Sequence, residues 1–331
     1  VLQELADPRI GSLLAGRYLI EGKLGEGGMA IVYRARHQLV DRPVAIKIMN
    51  AHLVRDAALK ERFRREAKNA AALAHPNIVE ISDYGEAEDG TPYLVMELLE
   101  GSSLDALVER GPMPAPQVAA LGAQIARGLA RAHDFQVIHR DLKPENVMVV
   151  PDAEMANGER VKVLDFGIAK LVATPGIKTR PNILLGTPIY MSPEQCRGLL
   201  TVDDRADVYA LGVMLFEMVA GRPPFVGEDP GAFIAMHVYK EPPSLRSLVP
   251  DVEPGLNQLV MGMLVKEPAQ RPAMGAVTEA LKRLGHLQSD VLIVRRDSAD
   301  LEATQALSSS SMNQRQGAAA QQAMRRGRTA P

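Results

Sequence analysis

The chain has 331 residues, 46% of them hydrophobic and 24% charged, with 38 Lys and Arg set against 40 Asp and Glu for a net charge of −2. That length fills two or three packed units, and so even a charge balance removes the electrostatic case for nucleic acid as a main partner. A single cysteine, Cys196, excludes an intramolecular disulfide and a cysteine metal cluster and suits a reducing compartment. No apolar run reaches the ~18 residues of a membrane-spanning helix, and the first residues do not read as a signal peptide. The expected location is the cytoplasm, either free or as the cytosolic part of a membrane-anchored protein.

Residues 1–15 show no period and read as a leader. Strand signals follow at Tyr18–Ile20, Ala30–Ala35, Val44–Ile48, Val79–Tyr84 and Tyr93–Met96, which are apolar, β-branched and parted by Gly, Asp-Arg-Pro and Glu-Asp-Gly turns. One helix interrupts them over Ala57–Ala74, with Phe63, Ala67, Ala70 and Ala74 spaced by three and four. Beyond Gly101–Ser103 the pattern turns helical: Pro116–His133 puts Val118, Leu121, Ile125, Leu129 and Ala132 on one face. Val147–Val150 and Val161–Leu164 read as a hairpin joined through Asn157-Gly158. Asp204–Ala220 is apolar almost all round, the mark of a buried helix, and stops at Gly221 before Pro223 and Pro224. Further helices are expected near Gly255–Lys266 and Met274–Leu284. From Ser289 the composition becomes Ser-, Ala- and Gln-rich, with Arg315, Arg325, Arg326 and Arg328 and no acid after Glu302, as in a flexible basic tail.

Residues 24–35, LGEGGMAIVYRA, fit two phosphate-binding patterns. Gly25, Gly27 and Ala30 match G-x-G-x-x-A of dinucleotide-binding enzymes; with Val32 they match a phosphate-covering loop that has lost its third glycine. A dinucleotide site needs a helix straight after the glycines, because the pyrophosphate rests on its N-terminus. Here a β-branched alternation follows and then Asp41-Arg42-Pro43, so the stretch reads as a hairpin over phosphate. Gly27 and Gly28 leave its tip open to positive φ and to close backbone approach. The next strand carries Lys47 in V-A-I-K. Glu66, three residues after Phe63 and four before Ala70, lies on the apolar face of its helix and needs a cation. Lys47 is the expected partner, with Arg62 the local alternative.

The segments HRDLKPENVMV (139–149) and LDFGIAK (164–170) carry the strongest signal. With the glycine loop, V-A-I-K, the helical Glu66 and the closing proline-glutamate at 193–194, the chain resembles the protein-kinase superfamily over about residues 16–287. The resemblance implies a bilobal α+β fold: a small antiparallel β-sheet lobe plus one helix over 16–100, a larger mainly helical lobe over 101–287, and a low-complexity tail over 288–331. The motifs D-L-K-P-E-N and GTPIYMSPE (186–194), with RFRREA, HPNIV and GRPPF, are similar to bacterial Ser/Thr kinases of eukaryotic type.

Phosphoryl transfer asks for charge neutralisation and an aligned hydroxyl more than for covalent chemistry. Asp165 and Asn146 offer hard oxygen ligands for Mg²⁺ or Mn²⁺. Asp141 would orient the substrate hydroxyl and accept its proton, and Lys143 would steady the transferring group. His139 reads as an organiser of the catalytic loop and Phe166 as a packing residue. By resemblance, Gly25, Gly27 and Gly28 cover the ATP phosphates, Val32, Ala45 and Met148 sandwich adenine, Met96 gates the rear, and the backbone from Glu97 to Leu99 binds its edge. Glu194 is expected to pair with Arg271, Asp207 to fix the catalytic-loop backbone, and Thr187 to bond Asp141 and Lys143. Ser192, in place of the usual alanine, reads as a neutral change, and Cys196 as an inert thiol.

Arg140, directly before Asp141, marks kinases whose activation segment is ordered by phosphate pairing with a guanidinium. Thr174 and Thr179 are therefore the expected autophosphorylation sites, acted on in trans by a second kinase molecule. The expected activity is ATP-dependent phosphorylation of protein Ser and Thr hydroxyls. The alternative is a weakly catalytic pseudokinase scaffold, which should lack Lys47, Asp141, Asn146 or Asp165; all four are present.

Overall fold

Alternation of apolar side chains along the first third of the chain produces the strands of the larger sheet. In the computed structural model, which describes residues 7–155, 157–166, 188–199 and 201–285, they form a six-stranded antiparallel sheet ordered β1-β2-β3-β4-β6-β5. The strands are β1 (Leu13–Leu14), β2 (Tyr18–Glu26), β3 (Ala30–His37), β4 (Arg42–Met49), β5 (Ile81–Glu86) and β6 (Pro92–Glu97). One face packs Tyr18, Ile20, Tyr33, Ala35, Val44, Ile46, Ile48, Tyr93 and Val95 together. The other meets helix α1 (Ala57–Ala71), whose Phe63 and Ala67 pack on Ala30, Met49 and Leu94. Strand period 2 thus sends Ile46 and Ile48 one way and Lys47 the other.

Residues 7–15, expected as a leader, are seated on this sheet. β1 pairs with β2, and the Tyr33 hydroxyl donates to the Asp7 carboxylate at 2.7 Å. A two-residue strand is too short to show a period, so the sequence carries no sign of it.

The rest is built from β7 (Ser102–Ser103), α2 (Leu104–Val108), α3 (Ala115–Asp134), β8 (Val147–Pro151), β9 (Glu159–Val163), α4 (Pro193–Cys196), α5 (Arg205–Ala220), α6 (Pro230–Tyr239), α7 (Leu245–Leu248), α8 (Pro254–Met263) and a last helix, α9, opening at 274. Strands β7, β8 and β9 make a small second sheet, and the β8–β9 turn uses Gly158 at φ 72°. Helix α5 is buried on every side over most of its length, against α3 and α8 among others. It ends where Gly221 takes φ 70° and donates its N–H to Glu217 O; a Cβ there would also strike Pro112 Cγ at 2.9 Å. Backbone bonds join the chain after α1 to β9. Val79 N–H donates to Val163 O (3.0 Å) and Val163 N–H to Asn77 O (2.9 Å).

Residues 7–282 belong to one compact unit; a second begins at Arg283 and, apart from 283–285, lies outside the described residues. The fold expected from the motifs, an antiparallel sheet with one helix followed by a helical region, is the fold observed. No helix among the described residues is long and apolar enough to cross a membrane.

Candidate active site

Strand register builds the first wall. Gly25 lies opposite Val32, Val32 opposite Lys47 and Lys47 opposite Leu94, a row straight across four strands. Directly opposed residues share a face, so Gly25, Val32 and Lys47 project together, and Ala45 and Met96, opposed to each other two residues along, join them. A Cβ added at Gly25 would meet nothing within 4 Å, and at Gly27 only Ala30 O at 3.7 Å. Neither glycine takes positive φ. The fold's own packing therefore does not demand these glycines; they leave the face of the hairpin clear for a close approach. Ala30 is buried in the core beneath α1, so its methyl belongs to the packing and not to the loop surface.

Lys47 is almost wholly buried, and its Nζ lies 2.7 Å from Asp165 Oδ1. The side chain of Glu66, its expected partner, lies outside those described, as does that of Arg62. Glu97, at the end of β6, accepts a hydrogen bond from Glu80 N–H (2.8 Å) and pairs with Lys162 Nζ (2.6 Å). Met148 stands opposite Lys162 on the β8–β9 hairpin, half-buried, and Leu99 lies just beyond Glu97.

The second wall is the loop from His139 to Asn146. It is held from below by one buried carboxylate: Asp207, on α5, accepts from His139 N–H (2.8 Å) and Arg140 N–H (2.9 Å) and bonds His133 Nε2 (2.8 Å). Burial works to raise the Asp207 pKa, yet the hydrogen bond and charge of His133, with His139 beside it, leave it below the ordinary carboxylate value. Buried His139 contacts Leu164 O through Nε2 at 2.8 Å and packs against the Phe166 ring at 5.0 Å with the two planes tilted by 52°. Asn146 Nδ2 donates to Asp141 O (2.8 Å), which turns its amide oxygen away from that carbonyl; Leu164 N–H donates to Asn146 O (2.9 Å) and so seats Asp165 next to the loop. Lys143 Nζ is 3.8 Å from Glu145 Oε1. Two backbones are left-handed although neither is glycine, Arg140 at φ 64° and Asp165 at φ 52°. Such residues are held only where their surroundings over-determine them. Arg140 Nε is buried with no hydrogen-bond partner among the described residues.

Below the loop, Glu194 and Arg271 form a bidentate pair at 2.7 and 2.8 Å, with side chains 4% and 0% exposed. Burial opposes ionisation of Glu194, but the Arg271 hydrogen bonds and charge hold its pKa below the usual range. Cys196 is half-buried. Thr174, Thr179 and Thr187 lie outside the described residues. No group of three or more His, Cys, Asp and Glu among the described residues could hold a metal by itself.

A family model, the protein kinase domain, matches residues 18–283, nearly the whole described chain. The chain belongs to the protein kinase family. Its relatives include the serine/threonine-protein kinase pkn3 of Myxococcus xanthus, 40% identical over 281 residues, 83% of this chain and 51% of that protein. Another is PrkC of Bacillus subtilis, also named a serine/threonine-protein kinase, 41% identical over 263 residues, 79% of this chain and 39% of that one. The kinase chain thus spans about half the length of the first of these relatives and less of the second. Among solved structures, the PknI kinase domain of Mycobacterium tuberculosis superposes with a TM-score of 0.63 at 28% identity, covering 83% of this chain and 98% of that one.

Three residues that hold this arrangement together were not singled out in the sequence. Gln195 donates to Arg140 O at 2.7 Å and closes a capping box with Ser192 at the start of α4. The S-x-x-Q spacing ahead of a helix is the signal that finds it, and it gives Ser192 a job that the alanine it replaces could not do. Lys162 reaches Glu97 from a different sheet, and Asn50 reaches back to the glycine turn. Neither contact leaves a short-range pattern.

Proposed function

We propose that this chain is an active Ser/Thr protein kinase that transfers the γ-phosphoryl group of ATP to protein hydroxyls. The observation that carries the reading is the Lys47–Asp165 contact. It closes a cleft between a glycine-cleared sheet face and the loop bearing Asp141 and Asn146.

In this reading the row from Gly25 to Lys47 receives the nucleotide. Val32, Ala45 and Met148 bracket the adenine, Met96 stands at the rear, and the Glu97–Leu99 backbone meets the base edge. Lys47, ordered in the cleft by Asp165, supplies positive charge to the phosphates, with Glu66 proposed as its second partner. Asp165 and Asn146 would hold Mg²⁺ or Mn²⁺, which when bound neutralises charge on the phosphate oxygens. Asp141 accepts the proton of the attacking Ser or Thr hydroxyl and holds it in line, while Lys143 meets the transferring group. The Asp207 carboxylate and the Gln195 amide fix the loop from two sides, so alignment costs no reorganisation during transfer. The lobes over 16–100 and 101–287, with a tail over 288–331, remain the proposed division, and protein substrates the proposed partners.

Arg140 extends the reading to regulation. A buried guanidinium nitrogen without a partner among the described residues suits an arriving phosphate. Thr174 or Thr179, phosphorylated in trans by a second molecule, is the proposed source, and mass spectrometry after ATP incubation tests it; an active enzyme with both threonines unmodified overturns it. The catalytic reading is tested by ATP/Mg²⁺ phosphorylation with wild type beside Asp141→Asn. Incorporation should fall by about two orders of magnitude or more in the variant. Equal incorporation in the two proteins overturns the mechanism.

A further inference from the structure

Asn50 follows β4 by one residue, half-buried, at the N-terminal cap of a single 3₁₀ turn (Ala51–Leu53). An asparagine there ordinarily turns its side chain onto the first N–H groups of its own helix. This one makes no such bond. Its Nδ2 donates instead to Gly27 O at 3.0 Å and Gly28 O at 3.1 Å, and its backbone N–H donates to Met29 O at 2.9 Å. Three successive carbonyls of the glycine turn are gathered onto one residue.

That arrangement fixes the other side of the same peptide units. In a trans peptide the C=O and N–H point in opposite directions, and the chain has no cis bond among its described residues. The N–H groups of Gly28, Met29 and Ala30 belong to the three peptide units whose carbonyls Asn50 holds, so they face away from it. Among the described residues, neither Gly28 nor Met29 donates a backbone hydrogen bond. Successive N–H groups turned to one side make an anion-binding concavity. Asn50 also stands three residues after Lys47 on the same stretch of chain, which ties the turn to the strand carrying that cation.

We propose that Asn50 is a positioning residue for nucleotide phosphates: by drawing the carbonyls of residues 27–29 to one side, it presents the amides of Gly28 and Met29 to the phosphate chain. This rests on the reading of the chain as an ATP-dependent kinase. Adenosine, which lacks the phosphates, separates this role from general support of the fold.

The test is calorimetric binding of ATP and adenosine to wild type, Asn50→Ala and Asn50→Asp. The ATP-to-adenosine affinity ratio is expected to fall about three- to tenfold in Asn50→Ala, which removes both Nδ2 bonds to the turn. It should fall further in Asn50→Asp, whose carboxylate has the same shape but no N–H to give and repels the carbonyls. Adenosine affinity should stay within about twofold. Should Asn50→Ala melt below the assay temperature, the near-isosteric Asn50→Asp carries the comparison. An unchanged ratio in the variants overturns the role of Asn50 and leaves the kinase reading intact. An equal loss of ATP and adenosine overturns it as well and reduces Asn50 to a fold contact. Wild type that binds ATP no better than adenosine overturns the kinase reading itself, and this proposal with it.

Discussion

Lys47 Nζ rests 2.7 Å from Asp165 Oδ1, an ion pair between residues 118 positions apart that spans the cleft. Asp165 remains partly open to solvent, so the pair contributes little to stability and its value lies in where it puts the ammonium. Lys47→Met should lower phosphoryl transfer about a hundredfold or more while moving the thermal midpoint by only a few degrees, roughly a 1 kcal/mol effect. Steady-state phosphorylation beside a melting curve checks this. Activity within about fivefold of wild type would remove Lys47 from the phosphate site.

The Glu194–Arg271 pair is a different case, because both side chains are buried. Glu194→Gln leaves the guanidinium uncompensated and should cost about 3–5 kcal/mol in urea unfolding. The sign of its pH dependence follows from the lowered pKa. The carboxylate's contribution is complete above its unfolded value, near 4.5, and is lost as pH falls below that through the folded value. Wild type should therefore lose stability below pH 4.5 more steeply than Glu194→Gln. Parallel acid limbs would show that the pair does not set the acid sensitivity.

His237 gives an acid response in a higher window. On α6 it is fully buried; the Tyr209 hydroxyl lies 2.9 Å from its Nδ1 and the Phe225 ring packs beside it. Burial, aided by the charge of Lys266, pushes its pKa down from 6.5 to about 4. Between those values the unfolded chain binds the extra proton and the folded one does not, so stability should fall as pH drops from 6.5 towards 4 and level off below. The span corresponds to about 3 kcal/mol. His237→Gln should flatten that part of the curve, measured by urea midpoints at pH 7 and pH 5. An equally steep decline in the variant rules His237 out as its source.

Gln195→Ala tests the support that α4 gives to the loop at Arg140. The change removes the bond to Arg140 O and half of the Ser192 capping box. kcat should fall about three- to tenfold, while KM for ATP stays unchanged because the nucleotide row lies on the sheet. A shift in KM alone would place the effect elsewhere.

Much of this was legible in the sequence because it rests on short-range patterns. Ile46, Lys47 and Ile48 alternate as a strand must, and the residues after Gly27 alternate too, which separates a hairpin from a helix before any coordinates are seen. The all-round apolar run of α5 announced its burial. Residue type and spacing singled out Asp141, Asn146 and Asp165, and the structure ties Asn146 to Asp141 O and to the N–H of Leu164 beside Asp165. What stayed hidden depends on long-range meetings. Asp7 meets Tyr33 across a gap that no periodicity records, and Lys162 meets Glu97 from another sheet. Asn50 was masked by its ordinariness, since an asparagine before a helical turn reads as a cap. Ala30 read as the position of a lost loop glycine, whereas its methyl fills the core under α1.

The left-handed peptide at Arg140 has one more consequence. Its N–H is held by α5 through Asp207 and its C=O by α4 through Gln195, so two helices share custody of one strained residue beside Asp141. Loss of either support therefore acts on the same peptide, so Gln195→Ala and a change at Asp207 are expected to be non-additive.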